Sequence, residues 1–190
     1  MAHGILTAKI ARALSPELEA QGFDVLYGHG QLGTDSSDRL GKLKSWFGPN
    51  YRASAVLADL DIAIATRDTD QLIALVEVEE TTSKPKVLLG DVLATLLGGH
   101  ITFQGKRHFH VGEWTSLIVL ARSTNPAHQS RIAFLEAQAN HLKSKLDIPN
   151  AKIGKVVIRG FQNELELEQM LRELIQTTIV GSNGLQPQSG

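Results

Sequence analysis

The chain has 190 residues, a formal net charge of −1 and no cysteine, with 42% apolar and 21% charged residues. That length favours a single domain with a sizeable core, and the composition is ordinary for a globular protein. The lack of cysteine excludes disulfides, thiolate metal sites and cysteine nucleophiles. The near-neutral charge means that any nucleic-acid binding must rely on local basic patches. No apolar stretch reaches the ~18 residues of a membrane helix. The start, Met1-Ala2-His3-Gly4-Ile5, lacks a charged segment leading into an apolar run. The expectation is a cytoplasmic protein with no membrane partner.

Residues 3–21 carry a rough apolar stripe at Ile5, Ala8, Ile10, Ala11 and Leu14, which predicts a helix with Ser15-Pro16 as a break or restart and Gly22 as its stop. Phe23 to Tyr27 reads as a short strand. Residues 28–50 are polar and glycine-rich, with a short helix expected around Leu40–Phe47. Residues 56–66 and 72–80 read as two strands, short and rich in Ile, Val and Leu, split by the polar turn Arg67-Asp68-Thr69-Asp70-Gln71. A turn that short predicts an antiparallel hairpin. Leu89, Val92, Leu93 and Leu96 follow helical spacing, with Pro85 near the start and Gly98-Gly99 past the end. Ile101–Phe103 and Phe109–Val111 flank a Gly105-Lys106-Arg107 turn, and Ser116–Ala121 is a strongly apolar strand. A helix marked by Ile132, Leu135, Ala139, Leu142 and Leu146, the strand Lys155–Ile158 and a helix marked by Leu167, Met170, Leu171, Leu174 and Ile175 complete the order. Asn163 and Glu166 have the spacing of a capping box. The expected fold is α/β, a mixed central β-sheet flanked by helices on both faces. Residues 1–180 form one domain, and the Gly/Ser/Gln/Pro-rich residues 181–190 form a disordered tail.

Acidic residues interrupt the two apolar strands. Asp61 opens Leu60-Asp61-Ile62-Ala63-Ile64, and Glu77 and Glu79 cut into Leu75-Val76-Glu77-Val78-Glu79. Side chains alternate with period two, so Glu77 and Glu79 share a face, with Ile73 and Leu75 expected on that same face. A strand face that turns from apolar to acidic partway along suggests a cleft cut into a core. Carboxylates converging there repel one another unless a hard divalent cation, which prefers oxygen ligands, offsets the charge. The alternative is that Asp59, Asp61, Glu77, Glu79 and Glu80 mark strand ends on a solvated face.

Other motifs carry less. Gly28-His29-Gly30-Gln31-Leu32-Gly33 matches a dinucleotide-binding pattern, but the glycines lead into Thr34-Asp35-Ser36-Ser37-Asp38 rather than a long amphipathic helix. His108 and His110 share a strand face without further ligands in sight, and read as solvated or DNA-facing. With Lys106 and Arg107 they make a basic hairpin tip, either a phosphate contact or an ordinary polar turn. Asp91 is expected to face solvent, opposite the leucine stripe of its helix. Lys84 and Lys86 flank that helix's start, within reach of a phosphate held near Glu79 or simply solvated.

The run from Val56 to Ala121 resembles the PD-(D/E)XK nuclease superfamily, the restriction-endonuclease-like fold. The matching order is Leu60-Asp61-Ile62-Ala63-Ile64, a hairpin turn, Leu75-Val76-Glu77-Val78-Glu79, then a helix. The resemblance implies a nuclease in which Asp61 and Glu77 hold Mg²⁺ or Mn²⁺, with Glu79 in the position usually held by lysine, an E-x-E variant. It implies that Glu17 or Glu19 of the first helix could add a carboxylate, that Lys84 or Lys86 could replace the missing lysine, that DNA is the substrate, and that a homodimer is possible. No proline precedes Asp61. Glu79 cannot offer a lysine's positive charge; it could bind a second ion or accept a proton from the attacking water. The readings that follow are a Mg²⁺-dependent endonuclease with Asp61, Glu77 and Glu79 as catalytic and metal-binding residues and Lys84, Lys86, Lys106 and Arg107 along the nucleic acid; a catalytically inactive nuclease-fold protein used for binding; and, last, a nucleotide-binding enzyme using the Gly28–Gly33 loop.

Overall fold

The computed structural model describes residues 5–28, 40–47, 52–80, 85–123, 125–145 and 153–183. In chain order its elements are α1 (Ile5–Ala20), β1 (Phe23–Tyr27), β2 (Leu43–Trp46), a short 3₁₀ turn (Ala53–Ala55), β3 (Val56–Asp59), β4 (Ile62–Thr66) and β5 (Leu72–Glu79). There follow α2 (Pro85–Leu97), β6 (His100–Phe103), β7 (Arg107–Phe109), β8 (Ser116–Arg122), α3 (Pro126–Lys145), β9 (Lys155–Phe161) and α4 (Glu164–Asn183). The expected α/β class and mixed sheet are present. A five-stranded sheet runs in the order β1-β4-β5-β8-β9, and a separate four-stranded sheet in the order β3-β2-β6-β7. The first three strands of the larger sheet are antiparallel, and β5, β8 and β9 are parallel.

Layers form on both faces of the larger sheet. On one, α1 buries Leu6, Ile10, Leu14 and Leu18, and α4 buries Leu167, Leu171, Ile175 and Ile179, against Ile62, Ile64, Val76 and Ile118. Spacing of four residues keeps each helical set on one face. On the other, Leu88, Val92 and Leu96 of α2 and Ile132, Leu135 and Ala139 of α3 pack with Leu75, Leu117 and Val119, and the smaller sheet adds Leu43, Ile101 and Phe103. A sheet covered on both faces explains why β4, β5 and β8 read as nearly continuous apolar runs. Among the described residues no helix is long and apolar enough to cross a membrane.

Several local expectations are corrected. The helix does not break at Ser15-Pro16: α1 runs through Pro16. Proline removes one helical N–H, but burial of Leu14 and Leu18 on either side holds the turn, and the Ser15 hydroxyl donates to the Ala11 carbonyl at 2.9 Å. Gly22 does stop the chain's helical course, with φ of +89°, a conformation glycine adopts without strain. The short helix expected at Leu40–Phe47 is instead strand β2, whose side chains alternate buried and half-buried. The single strand expected over residues 56–66 is two, β3 in the smaller sheet and β4 in the larger. The chain changes sheets at Leu60 and Asp61: the Leu60 N–H donates to Leu43 at 2.9 Å, and the Asp61 carbonyl accepts from the Gly28 N–H at 2.7 Å. The 72–79 strand carries a bulge, because Ile64 pairs with Ala74 while Ala65 pairs with Leu72. The extra residue, Ile73, therefore packs in the α1/α4 layer, whereas Leu75 faces α2; the two do not share a face as alternation predicts. α4 continues through Gly181–Asn183, three residues into the expected tail; the rest of that tail and Leu146 lie outside the described residues. The Asn163 side chain caps α4 by accepting from the Glu166 N–H at 3.0 Å, but Glu166 reaches back to the Gln162 N–H at 2.8 Å rather than to that of Asn163.

The two sheets are tied by charge. Arg107 at the start of β7 pairs with Asp24 on β1 and with Asp70 in the β4–β5 turn, each at 2.6 Å. Burial pushes the Asp24 carboxyl up, but the hydrogen bonds and charges of Arg107 and Arg67 outweigh it and hold the carboxyl below its ordinary value of 3.8. Charged hydrogen bonds of this kind are worth about 1.5–3 kcal/mol, so Asp24→Ala should lower the melting temperature by roughly 3–12 °C at ~2–4 °C per kcal/mol. The sign with pH follows from the depressed value: the stabilisation is present above pH 3.8 and lost as pH falls through the folded value. Thermal melts of both proteins at pH 7 and near pH 3 check this, the two converging in acid.

Candidate active site

The strands that carry the acids end side by side. Ile62 pairs with Val76, which sets Asp61, one residue before β4, opposite Glu77. The two residues lock each other. The Asp61 Oδ2 accepts the Val78 N–H at 2.7 Å, and the Glu77 carboxyl accepts the Asp61 N–H. Asp61 is only 6% exposed, and Glu77 and Glu79 are half-buried.

Gly28 fixes the backbone on which Asp61 sits. Beyond donating its N–H to the Asp61 carbonyl, it lies so close to Leu60 that a Cβ would overlap the Leu60 carbonyl oxygen. This glycine therefore serves the approach of β1 to the Leu60–Asp61 crossing. His29, Gly30 and Gly33 of the same motif lie outside the described residues.

Asp59, Asp61, Glu77, Glu79 and Asp91 line one cavity of about 170 Å³, closed by Val78 and Val119. Glu77 is strongly perturbed. Burial, then the charges of Asp61 and Asp91, push its carboxyl well above the ordinary 4.5, against a smaller opposing effect of the Asp61 N–H. Burial and the charge of Glu79 also raise Asp91. Lys44 on β2 brings one positive charge to the rim, 3.4 Å from Asp59.

Asp91 corrects the sequence reading. It faces the cleft, not solvent, because the buried stripe of α2 is Leu88, Val92, Thr95 and Leu96 rather than the one through Leu89 and Leu93. Asp91 lies three residues after Leu88 and four before Thr95, the spacing that marks a shared helix face, so the signal was present but attached to the wrong stripe.

Other expected residues do not gather here. Glu17 lies at the far end of α1, paired with Arg172 and with the Gln176 amide. It is ten residues, or roughly 15 Å at ~1.5 Å per residue, from Thr7, whose N–H and hydroxyl meet Glu80 at the end of β5. Glu19 sits at the same distal end and, like Glu17, does not line the cavity. Arg107 is engaged by Asp24 and Asp70, at the opposite end of β5 from Glu77, about 23 Å along the strand at ~3.3 Å per residue. Lys106 is exposed in the β6–β7 turn beside it, and the exposed His108 and His110 share that distal hairpin. These residues cannot serve a phosphate bound at Asp61 and Glu77. Lys86 is exposed on the first turn of α2; Lys84 lies outside the described residues.

The donor set suits a hard divalent cation: every polar side chain lining the cavity is a carboxylate. Among the described residues no three or more His, Asp or Glu side chains are grouped so as to hold a metal ion together. Mg²⁺ needs no such cage, since it is commonly held by one or two carboxylates and completes its shell with water and substrate phosphate. Compared with family models, curated proteins and solved structures, the chain matches none of them.

Proposed function

We propose that this protein is a divalent-metal-dependent nuclease that hydrolyses phosphodiester bonds in DNA at the Asp61–Glu77–Glu79 cleft. The observation that carries the reading is the convergence on one cavity of five carboxylates, four at adjoining strand ends and Asp91 from α2. That arrangement is hard to sustain without a counter-cation, and it is accompanied by the upward shift of Glu77. The element order supports it further: a first acid, a hairpin turn, a strand bearing E-x-E and a helix follow one another as in the PD-(D/E)XK resemblance.

In this reading Asp61 and Glu77 would hold Mg²⁺ or Mn²⁺ through their carboxylates. When bound, such an ion would supply Lewis-acid stabilisation of the phosphate and would acidify water at the site. Glu79, on the same face two residues beyond Glu77, would orient the attacking water or accept its proton. Asp91 adds a carboxyl that can take up a proton, since its value already lies above the ordinary one. The β5 backbone at Val78 keeps Asp61 pointing inward. The same resemblance suggests a homodimer as the working form, and the absence of cysteine fits a cytoplasmic location.

Glu79 in the lysine position favours a second reading, a nuclease-fold protein that binds nucleic acid without cutting it. Incubation of supercoiled plasmid and single-stranded DNA with Mg²⁺, Mn²⁺ or EDTA separates the two. The nuclease reading expects cleavage with metal, none in EDTA, and loss in Glu77→Ala. Cleavage that persists in EDTA or in Glu77→Ala would sink it, and retained DNA binding without cleavage would establish the second reading.

A further inference from the structure

Beside the acidic cleft lies a basic notch. Arg122 at the end of β8 and His128 and Arg131 on the first turns of α3 line it together with Pro85 and Leu88 of α2 and Ala121 of β8. It is about 20 Å³, room for little more than one water, so a larger anion would sit at its mouth on the guanidinium and imidazole edges.

The two cavities are neighbours on the same elements. Val119 lines the acidic one and Ala121 the basic one. They are two residues apart on one face of β8, roughly 7 Å at ~3.3 Å per residue. Asp91 and Leu88, three residues apart on α2, make the same link from the other side. Glu79 pairs with Ala121 across the sheet, so the carboxylates and Arg122 are presented at one edge. A separation of this size is comparable to that between successive phosphates along one nucleic-acid strand.

The cations of the notch are not spent on the protein. The guanidinium of Arg122 stacks on the Phe161 ring at 5.7 Å, and its buried Nε has no hydrogen-bond partner. Neither Arg122 nor Arg131 forms an ion pair among the described residues, whereas Arg107, Arg159 and Arg172 each do. Among the described residues that line the notch none is a carboxylate, so an anion there would be drawn to Arg122, His128 and Arg131.

We infer that Arg122, His128 and Arg131 form a phosphate-binding subsite that receives the phosphate adjoining the scissile one, so that the cleft acts on a polynucleotide strand rather than on a small phosphoester. The inference rests on the proposed nuclease reading for its register, but binding at the notch is measurable without metal or cleavage.

The test is fluorescence anisotropy of a labelled single-stranded DNA 12-mer in EDTA across a salt series, with the full chain, Arg131→Gln, and Arg122→Gln/Arg131→Gln. Arg131 is exposed on α3, so its variant should keep the fold, and circular dichroism of each variant checks this. Each lost phosphate contact on a single strand should lower the salt slope by ~0.7. We expect a drop of about 0.7 for Arg131→Gln, and a total drop of about 1.4 with at least tenfold weaker binding at ~0.1 M salt for the double variant. Unchanged slope and affinity in folded Arg131→Gln, or a 12-mer bound no more tightly than a 5′-mononucleotide competitor, overturns the subsite. Loss of binding in these variants with no cleavage by the native protein would retain the subsite and reject the nuclease reading instead.

Discussion

Glu77→Gln should stabilise the metal-free protein at neutral and alkaline pH while abolishing metal-dependent cleavage. The stability effect follows from the environment of the carboxyl. It is pushed upward by burial and by the charges of Asp61 and Asp91, so the folded state holds its proton more tightly than the unfolded chain. The penalty for ionising it is absent below the ordinary value of 4.5 and grows as pH rises through the folded value. Glutamine keeps an oxygen to accept the Asp61 N–H and removes the charge. Melting temperatures of the two proteins in EDTA should coincide near pH 4 and diverge above it, with the variant higher. The activity effect has the opposite sign. Loss of a metal ligand removes several kcal/mol of transition-state stabilisation, on the order of 10³-fold in rate. A substitution that raises stability and removes function is the expected mark of a site held against its own repulsion.

Gly28→Ala should damage fold and activity together, although Gly28 is not a cavity residue. The added methyl meets the Leu60 carbonyl oxygen, a backbone atom that cannot rotate away. The crossing from β3 to β4 must then shift, and with it Asp61, whose carbonyl accepts the Gly28 N–H. Overpacking of this kind costs about 1–3 kcal/mol, roughly 2–12 °C in melting temperature for a chain of this size. Displacement of Asp61 by about 1 Å should lower cleavage ~10²-fold. Gly90→Ala is the control. Gly90 lies within α2 with open space around its Cβ position, so alanine there should gain up to ~1 kcal/mol from helix propensity and leave cleavage unchanged.

The parts of this molecule that could be read from the sequence are those governed by a single local pattern. β1, β5, α2 and α4 announce themselves by apolar runs or stripes and by Gly22, Pro85 and Gly98 at their ends. The hairpin between β4 and β5 follows from one polar turn, and it alone brings Asp61 next to Glu77. The misreadings come from places where tertiary structure decides. The crossing between sheets at Leu60–Asp61 leaves no mark in hydrophobicity, because apolar residues continue on both sides of it, Val56–Ala58 in β3 and Ile62–Ala65 in β4. The bulge at Ile73 has no glycine or other signature, so alternation places that residue on the wrong face. β2 is short, and the alternation of Leu43, Lys44, Ser45 and Trp46 was its only signal. Pro16 is tolerated because α1 is held by packing against the sheet rather than by propensity. The spacing of Asp91 within α2 fits two stripes, and only the packing of α2 chooses the one through Leu88 and Thr95; the Arg122–His128–Arg131 notch depends on the register of α3 against β8, which no spacing within one element reveals.

The central claim is that the carboxylates at the ends of β4 and β5 hold a divalent cation. Calorimetric titration of Mn²⁺ into the native protein, Asp61→Asn and Glu77→Gln tests it most directly. A saturable site in the native protein, weakened at least tenfold in both variants, is the predicted result. No saturable binding to the native protein, or equal binding to all three, would contradict it.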